Sequence, residues 1–167
     1  MAAKTQSRSR SAGAKRTPKR PPTTLRERLE RAAAGLLYTS ESDRPFRFFS
    51  LPSEDASDLT PVGFLTRLGV SQQFIEQHGV PIDELVQERS LDDFFPDAER
   101  LANSYGVEVT DRQVVSELKR WERLKALLRR SLRGVKVLRV GTVDIRCYVA
   151  GVTKGDIAGL ITTAIET

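Results

Sequence analysis

The sequence predicts an α+β sandwich, and three observations carry that prediction. The long stretch Asp111–Leu132 places Val114, Leu118, Trp121, Leu124, Leu128 and Leu132 on one helical face. The chain closes on three strand-like runs, Val135–Val140, Gly141–Gly151 and Ile157–Thr167, separated by Gly141-Thr142 and Thr153-Lys154-Gly155-Asp156. In the middle run, Val143 to Val149 alternates apolar with polar or amphipathic residues, the period of a strand with one buried face. Glycine-containing turns between such runs predict an antiparallel meander. Upstream, helical and extended stretches alternate, which joins helices to this mainly antiparallel sheet.

Taken in order, Met1–Pro22 holds seven basic residues, no acidic residue and no large apolar residue after Met1. Such a segment buries too little surface to offset its ordering entropy, so a disordered basic tail over 1–22 is expected, followed by one domain over 23–167. Removing those seven from 27 basic residues leaves 20 against 22 acidic ones, so the body carries a net −2 although the whole chain is +5. The tail is solubilising or makes weak contact with nucleic-acid phosphates.

Thr24-Leu25-Arg26-Glu27 fits a capping box, and Leu25, Leu29, Ala32, Ala33, Leu36 and Leu37 give the helix behind it one apolar face. Tyr38–Pro45 reads as a polar loop, and Pro45–Leu51 as an aromatic-rich strand. Thr60-Pro61 starts a helix with Val62, Leu65 and Leu68 inward, ending at Gly69. Ser71–His78 reads as another helix, Pro81–Glu88 as a strand and Leu91–Phe95 as an apolar plug. Asp97–Gly106 holds one or two helical turns. Lys119, Arg120, Arg123, Lys125, Arg129, Arg130 and Arg133 crowd the outer face and end of the long helix, which Gly134 stops.

Catalysis finds little support. His78 is the single histidine and stands beside Gly79 at a helix end, a capping position. Cys147 shares a strand face with Ile145 and Val149 and reads as a small core hydrophobe. Asp92-Asp93 reads as a solvated turn. No Walker loop, nucleophile elbow, dinucleotide glycine pattern or paired metal-binding cysteines occur, so no enzyme and no cofactor are expected. One cysteine excludes an intrachain disulfide. With no signal peptide and no apolar run of about 20 residues, a cytoplasmic protein without a membrane partner is expected.

The segment Gly35-Leu36-Leu37-Tyr38-Thr39-Ser40-Glu41-Ser42-Asp43-Arg44-Pro45-Phe46 resembles the opening of the nuclease A inhibitor family, inhibitors of sugar-non-specific DNA/RNA nucleases. The resemblance resumes at Leu91-Asp92-Asp93-Phe94-Phe95 and continues through the long helix. It then follows Val137–Gly141, Tyr148–Gly151 and Gly155–Leu160 to the closing Glu166-Thr167. It covers about Leu25 to Thr167 and departs at Val107-Glu108-Val109-Thr110, where the family has a tryptophan.

The resemblance implies inhibition by substrate mimicry, with a sugar-non-specific nuclease as partner. Thr167 would reach the nuclease's catalytic magnesium, in the complex only, where a scissile phosphate stands. Glu41 would pair with basic groups near that site. Ser40, Ser42, Asp43 and Glu166 complete the expected partner-binding set. A terminal carboxylate is ionised at neutral pH and is a hard donor that suits magnesium. At the end of a strand it can enter a cleft closed to an internal loop. The full expectation is a three-layer α/β/α sandwich with a mostly antiparallel sheet, acting as an inhibitor. The alternative is a nucleic-acid-binding adaptor using Met1–Pro22 and the arginine-rich helix.

Overall fold

The computed structural model describes residues 23–53, 55–79 and 81–166. The expected basic tail over 1–22 and Thr167 therefore lie outside the described residues. The chain begins with helix α1 (Leu25–Ala33), whose capping box is complete: Thr24 Oγ1 accepts from Glu27 N–H at 3.2 Å, and Glu27 Oε2 accepts from Thr24 N–H at 3.0 Å. Strands β1 (Leu37–Thr39) and β2 (Asp43–Pro45) then pair antiparallel, and β3 (Arg47–Pro52) follows. The expected loop Tyr38–Pro45 is thus a small hairpin turning at Ser40-Glu41-Ser42. Strands of three residues are too short to show a period, so their pairing is decided elsewhere in the fold.

A 3-10 turn (Ala56–Leu59) leads into α2 (Pro61–Arg67), capped by Thr60 as expected, and α3 (Gln72–His78), capped by Ser71. The expected strand Pro81–Glu88 divides into helix α4 (Ile82–Leu85) and strand β4 (Val86–Arg89). Ile82 and Leu85 are three apart, a helical spacing that the strand reading overlooked. The apolar plug is a helical turn, α5 (Leu91–Phe94), and α6 (Ala98–Tyr105) follows it.

The longest helix, α7 (Arg112–Ser131), buries Val114, Trp121, Leu124, Leu127 and Leu128, with Leu118 partly buried beside them. It ends at Leu132, one position before the strand β5 (Arg133–Val140) begins, so Gly134 does not stop it. Leu132 is buried in extended conformation, and core packing turns the chain there. Gly134, at φ +60°, instead serves an irregularity in strand pairing between Arg133 and Lys136. β6 (Asp144–Val152) and β7 (Asp156–Ile165) complete the expected meander.

The larger sheet runs β3-β7-β6-β5-β4, with every neighbouring pair antiparallel. The α+β class predicted from the sequence is the class observed. Alternation along the strands feeds two separate clusters. Val137, Ile145, Cys147, Val149, Ala158, Leu160 and Ala164 join the core beneath α1, α5, α6 and α7. Leu138, Tyr148, Ala150, Val152 and Ile157 join a second core with Leu59, Phe64, Leu65 and Ile75. Consecutive strand residues point to opposite faces, so one sheet supplies both. At Gly159 a Cβ would lie 1.8 Å from the Val149 carbonyl oxygen, so only glycine lets β7 lie against β6. Among the described residues, no helix is long and apolar enough to cross a membrane.

Candidate partner-binding site

β3 pairs with β7 only as far as Arg47 opposite Ile161. Beyond Ile161 that edge of β7 would leave its peptide groups unpaired, and the β1–β2 hairpin covers it. Thr162, which is buried, donates its hydroxyl to the Arg44 carbonyl at 3.3 Å. Further along, Ile165 N–H donates to Ser40 Oγ at 3.1 Å, and Glu41 N–H donates to the Ile165 carbonyl at 3.4 Å. The turn and the end of the last strand are therefore fastened by reciprocal hydrogen bonds. Two segments predicted separately from the sequence form one surface.

The site residues play different parts there. Ser40 is half-buried and spends its hydroxyl inside the molecule, donating to the Ser42 carbonyl at 3.2 Å while accepting from Ile165. Ser42 Oγ accepts from Arg44 Nε at 3.2 Å, which stiffens the turn. Glu41 is exposed at the tip, and Asp43 is exposed on β2. Glu166 donates its N–H to the Val143 carbonyl at 3.2 Å, and its carboxylate forms an ion pair with Arg139. Thr167 follows directly, outside the described residues.

Arg139 was not among the residues singled out from the sequence. Its signal was parity. It shares a strand face with Val135 and Val137, so an arginine stands where an inward apolar residue is expected. Opposite Cys147 in the β5–β6 register, it also donates to Gln87 Oε1 at 3.3 Å. Burial works against the guanidinium charge, yet the Cys147 thiol and the Glu166 carboxylate hold its pKa above the ordinary value. Burial pushes the Cys147 thiol up as well, which keeps it protonated at neutral pH and inert, as expected of a core cysteine.

Behind the hairpin lies a cleft of about 410 Å³, lined by Tyr38, Asp43, Phe94, Arg100, Tyr105 and Glu117 among others. Tyr38 stacks on Phe94 with ring centroids 4.5 Å apart and planes 9° apart. That stack fixes the first strand of the hairpin against α5, while Phe46 meets Trp121 edge to face at 5.7 Å. The hairpin is anchored at its base by aromatic packing and at its tip by the end of β7.

The arginine-rich helix is less available than its sequence implies. Lys125 and Arg129 both grip Asp92, at 3.1 and 2.7 Å, and Lys125 also meets Glu122 at 2.6 Å. Arg120 donates to the Ala34 carbonyl. Asp92 is exposed on a helical turn, as the solvated-turn reading expects, and it also ties α5 to α7. Asp93 completes the N-terminal cap of α5, its N–H donating to Ser90 Oγ at 3.0 Å and its Oδ2 accepting the Ser90 hydroxyl at 2.7 Å. Among the described residues, no group of three or more histidine, cysteine, aspartate or glutamate side chains could hold a metal ion.

A family model described as nuclease A inhibitor-like protein matches residues 23–167. The chain belongs to the nuclease A inhibitor-like family. This is the family that the motifs from Gly35 to Thr167 resemble. It is an inhibitor family, and it carries a nuclease inhibitor role to this chain. No curated protein matches the chain.

Proposed function

We propose that the protein binds a magnesium-dependent, sugar-non-specific nuclease stoichiometrically and blocks it by substrate mimicry, without chemistry of its own. The observation that carries this reading is the pair of bonds between Ser40, Glu41 and Ile165. They support the Ser40–Asp43 turn and the last strand as one presenting edge, built on a sheet and not on independent loops. In the proposed complex Thr167 supplies its carboxylate and hydroxyl to the nuclease's magnesium, in place of a scissile phosphate. Glu41 pairs with cationic groups beside it. The body's net charge of −2 suits a cleft built to attract nucleic acid. Val107–Thr110 lacks the family's tryptophan and exposes Val107 and Val109, so this part of the contact, and with it the affinity or the choice of target nuclease, departs from the family pattern.

The adaptor alternative draws less support, because Lys125 is already paired with Asp92 and Glu122, and Arg129 with Asp92. Titration of a magnesium-dependent nuclease that cleaves both DNA and RNA tests the proposal. Inhibition should be complete at one equivalent on both substrates. A truncated chain beginning at Pro22 should inhibit equally, since the tail's composition does not support a packed surface and the family match begins at residue 23. Absence of a 1:1 endpoint, with salt-dependent DNA binding lost on truncation, would reverse the choice in favour of the adaptor.

A further inference from the structure

We infer that Arg139 is a positioning residue for the inhibitory terminus, acting through Glu166, and that Glu166 is an internal strut more than a contact with the partner. The inference rests on the mimicry reading for its purpose and on the geometry for its mechanism.

A strand end normally frays, because its last residues have few neighbours to hold them. Here three elements hold Ile165 and Glu166. The hairpin takes the Ile165 peptide groups through Ser40 and Glu41, and the turn before β6 takes the Glu166 N–H through the Val143 carbonyl. These bonds hold the backbone of Ile165 and Glu166 and leave the Glu166 side chain to be held separately. The third element is the Arg139–Glu166 ion pair. Arg139 has only 11% of its side chain exposed, whereas Glu166 has 51%.

A cation that is mostly withdrawn from water, on the neighbouring face of β5, pulls the Glu166 side chain down onto the sheet. With its N–H bonded to Val143 and its carboxylate committed to Arg139, Glu166 is held through backbone and side chain together, which fixes the point from which the chain continues to Thr167. Gln87 from β4 holds the other arm of the guanidinium, so the pull is transmitted from a sheet edge three strands from β7. Arg139 Nε is buried and makes no hydrogen bond. Placing a guanidinium there is unfavourable by itself, and an apolar residue would pack the position more simply. The ion pair with Glu166 is the return for that placement.

The test reads the strut without any nuclease. Amide exchange, followed residue by residue in the full chain, should show the Ile165 and Glu166 amides opening about fivefold more often in Arg139→Met, the effect of losing one partly exposed ion pair. Glu166→Gln, altered at an exposed site that leaves the core intact, should reproduce the change. The double variant should add little to either alone. Amides of Val149 and Leu160 in mid-sheet should not move. Arg139→Lys keeps the charge without the two-armed reach and should recover part of the protection.

Unchanged exchange at Ile165 and Glu166 would overturn the inference, and so would an equal rise across the sheet. On the nuclease, Arg139→Met and Glu166→Gln should each raise the inhibition constant by the same several-fold factor. Loosened terminal amides with undiminished inhibition would overturn the positioning role. A wild-type chain that inhibits nothing would remove the proposed function, and the exchange data would still decide the strut.

Discussion

The Ile165 N–H donates to Ser40 Oγ at 3.1 Å, joining two residues 125 positions apart. The same hydroxyl donates to the Ser42 carbonyl, so one oxygen shapes the turn and fastens it to the last strand. Ser40→Ala should therefore cost about 1 kcal/mol, because the partly buried N–H of Ile165 loses its acceptor. Inhibition should weaken several-fold, since the turn and the strand end lose their common anchor. Denaturant titration and nuclease inhibition check the two effects. Wild-type values in both would mean that the hydroxyl fastens nothing.

Glu41 stands at the exposed tip of that turn, on a support braced by Ser40 and by the Tyr38–Phe94 stack. A charged partner removed from a desolvated pair typically costs about 2–5 kcal/mol at an interface. Glu41→Gln preserves shape and removes charge, so the complex should dissociate faster with little change in association. Surface plasmon resonance separates the two rates. Dissociation at the wild-type rate would show that Glu41 lies outside the contact.

Deleting Thr167 should abolish tight inhibition. It would draw the terminal carboxylate back by about 3.3 Å along an extended chain. Magnesium accepts oxygen ligands near ~2.1 Å in almost regular octahedra, so it tolerates no such displacement. Adding one residue should do similar harm, because a neutral peptide bond would occupy the place of the anion. Neither change touches the two cores of the described residues, and thermal unfolding should stay where it is. Inhibition surviving both changes would rule out the terminus as a metal ligand.

Asp92 should make stability depend on pH in acid. Hydrogen bonds from Lys125 and then Arg129 hold its pKa below the ordinary carboxylate value. A depressed folded-state pKa favours the folded state above the unfolded pKa of about 3.9, and that advantage fades as pH falls through the lower, folded value. Wild type should melt above Asp92→Asn at pH 7, and the gap should close on acidification from about pH 4 towards pH 2. A gap that persists undiminished at the acid end would place its origin in shape, not charge.

Much of this architecture was legible in the residues themselves. Thr24 and Glu27 announce the first helix because a capping box is local chemistry, complete within four residues. The stripe from Val114 to Leu128 and the alternation from Ile145 to Val149 are legible because burial of one face imposes a period on the sequence. The motifs from Gly35 to Glu166 likewise sufficed to indicate the family.

Tertiary structure alone decided the rest. Leu37–Thr39 and Asp43–Pro45 are strands because β7 has an open edge beyond Ile161, a condition created more than a hundred residues later. The same holds for Gly134, whose neighbours Leu132 and Arg133 are claimed by the core and by Val152 before a glycine stop could act. Arg139 acquires its role only when the sheet places it between Gln87 and Glu166. Local propensity depends on a few neighbouring residues, whereas edges, ion pairs and buried charges depend on which distant segments meet, and that is settled only when the chain closes on itself.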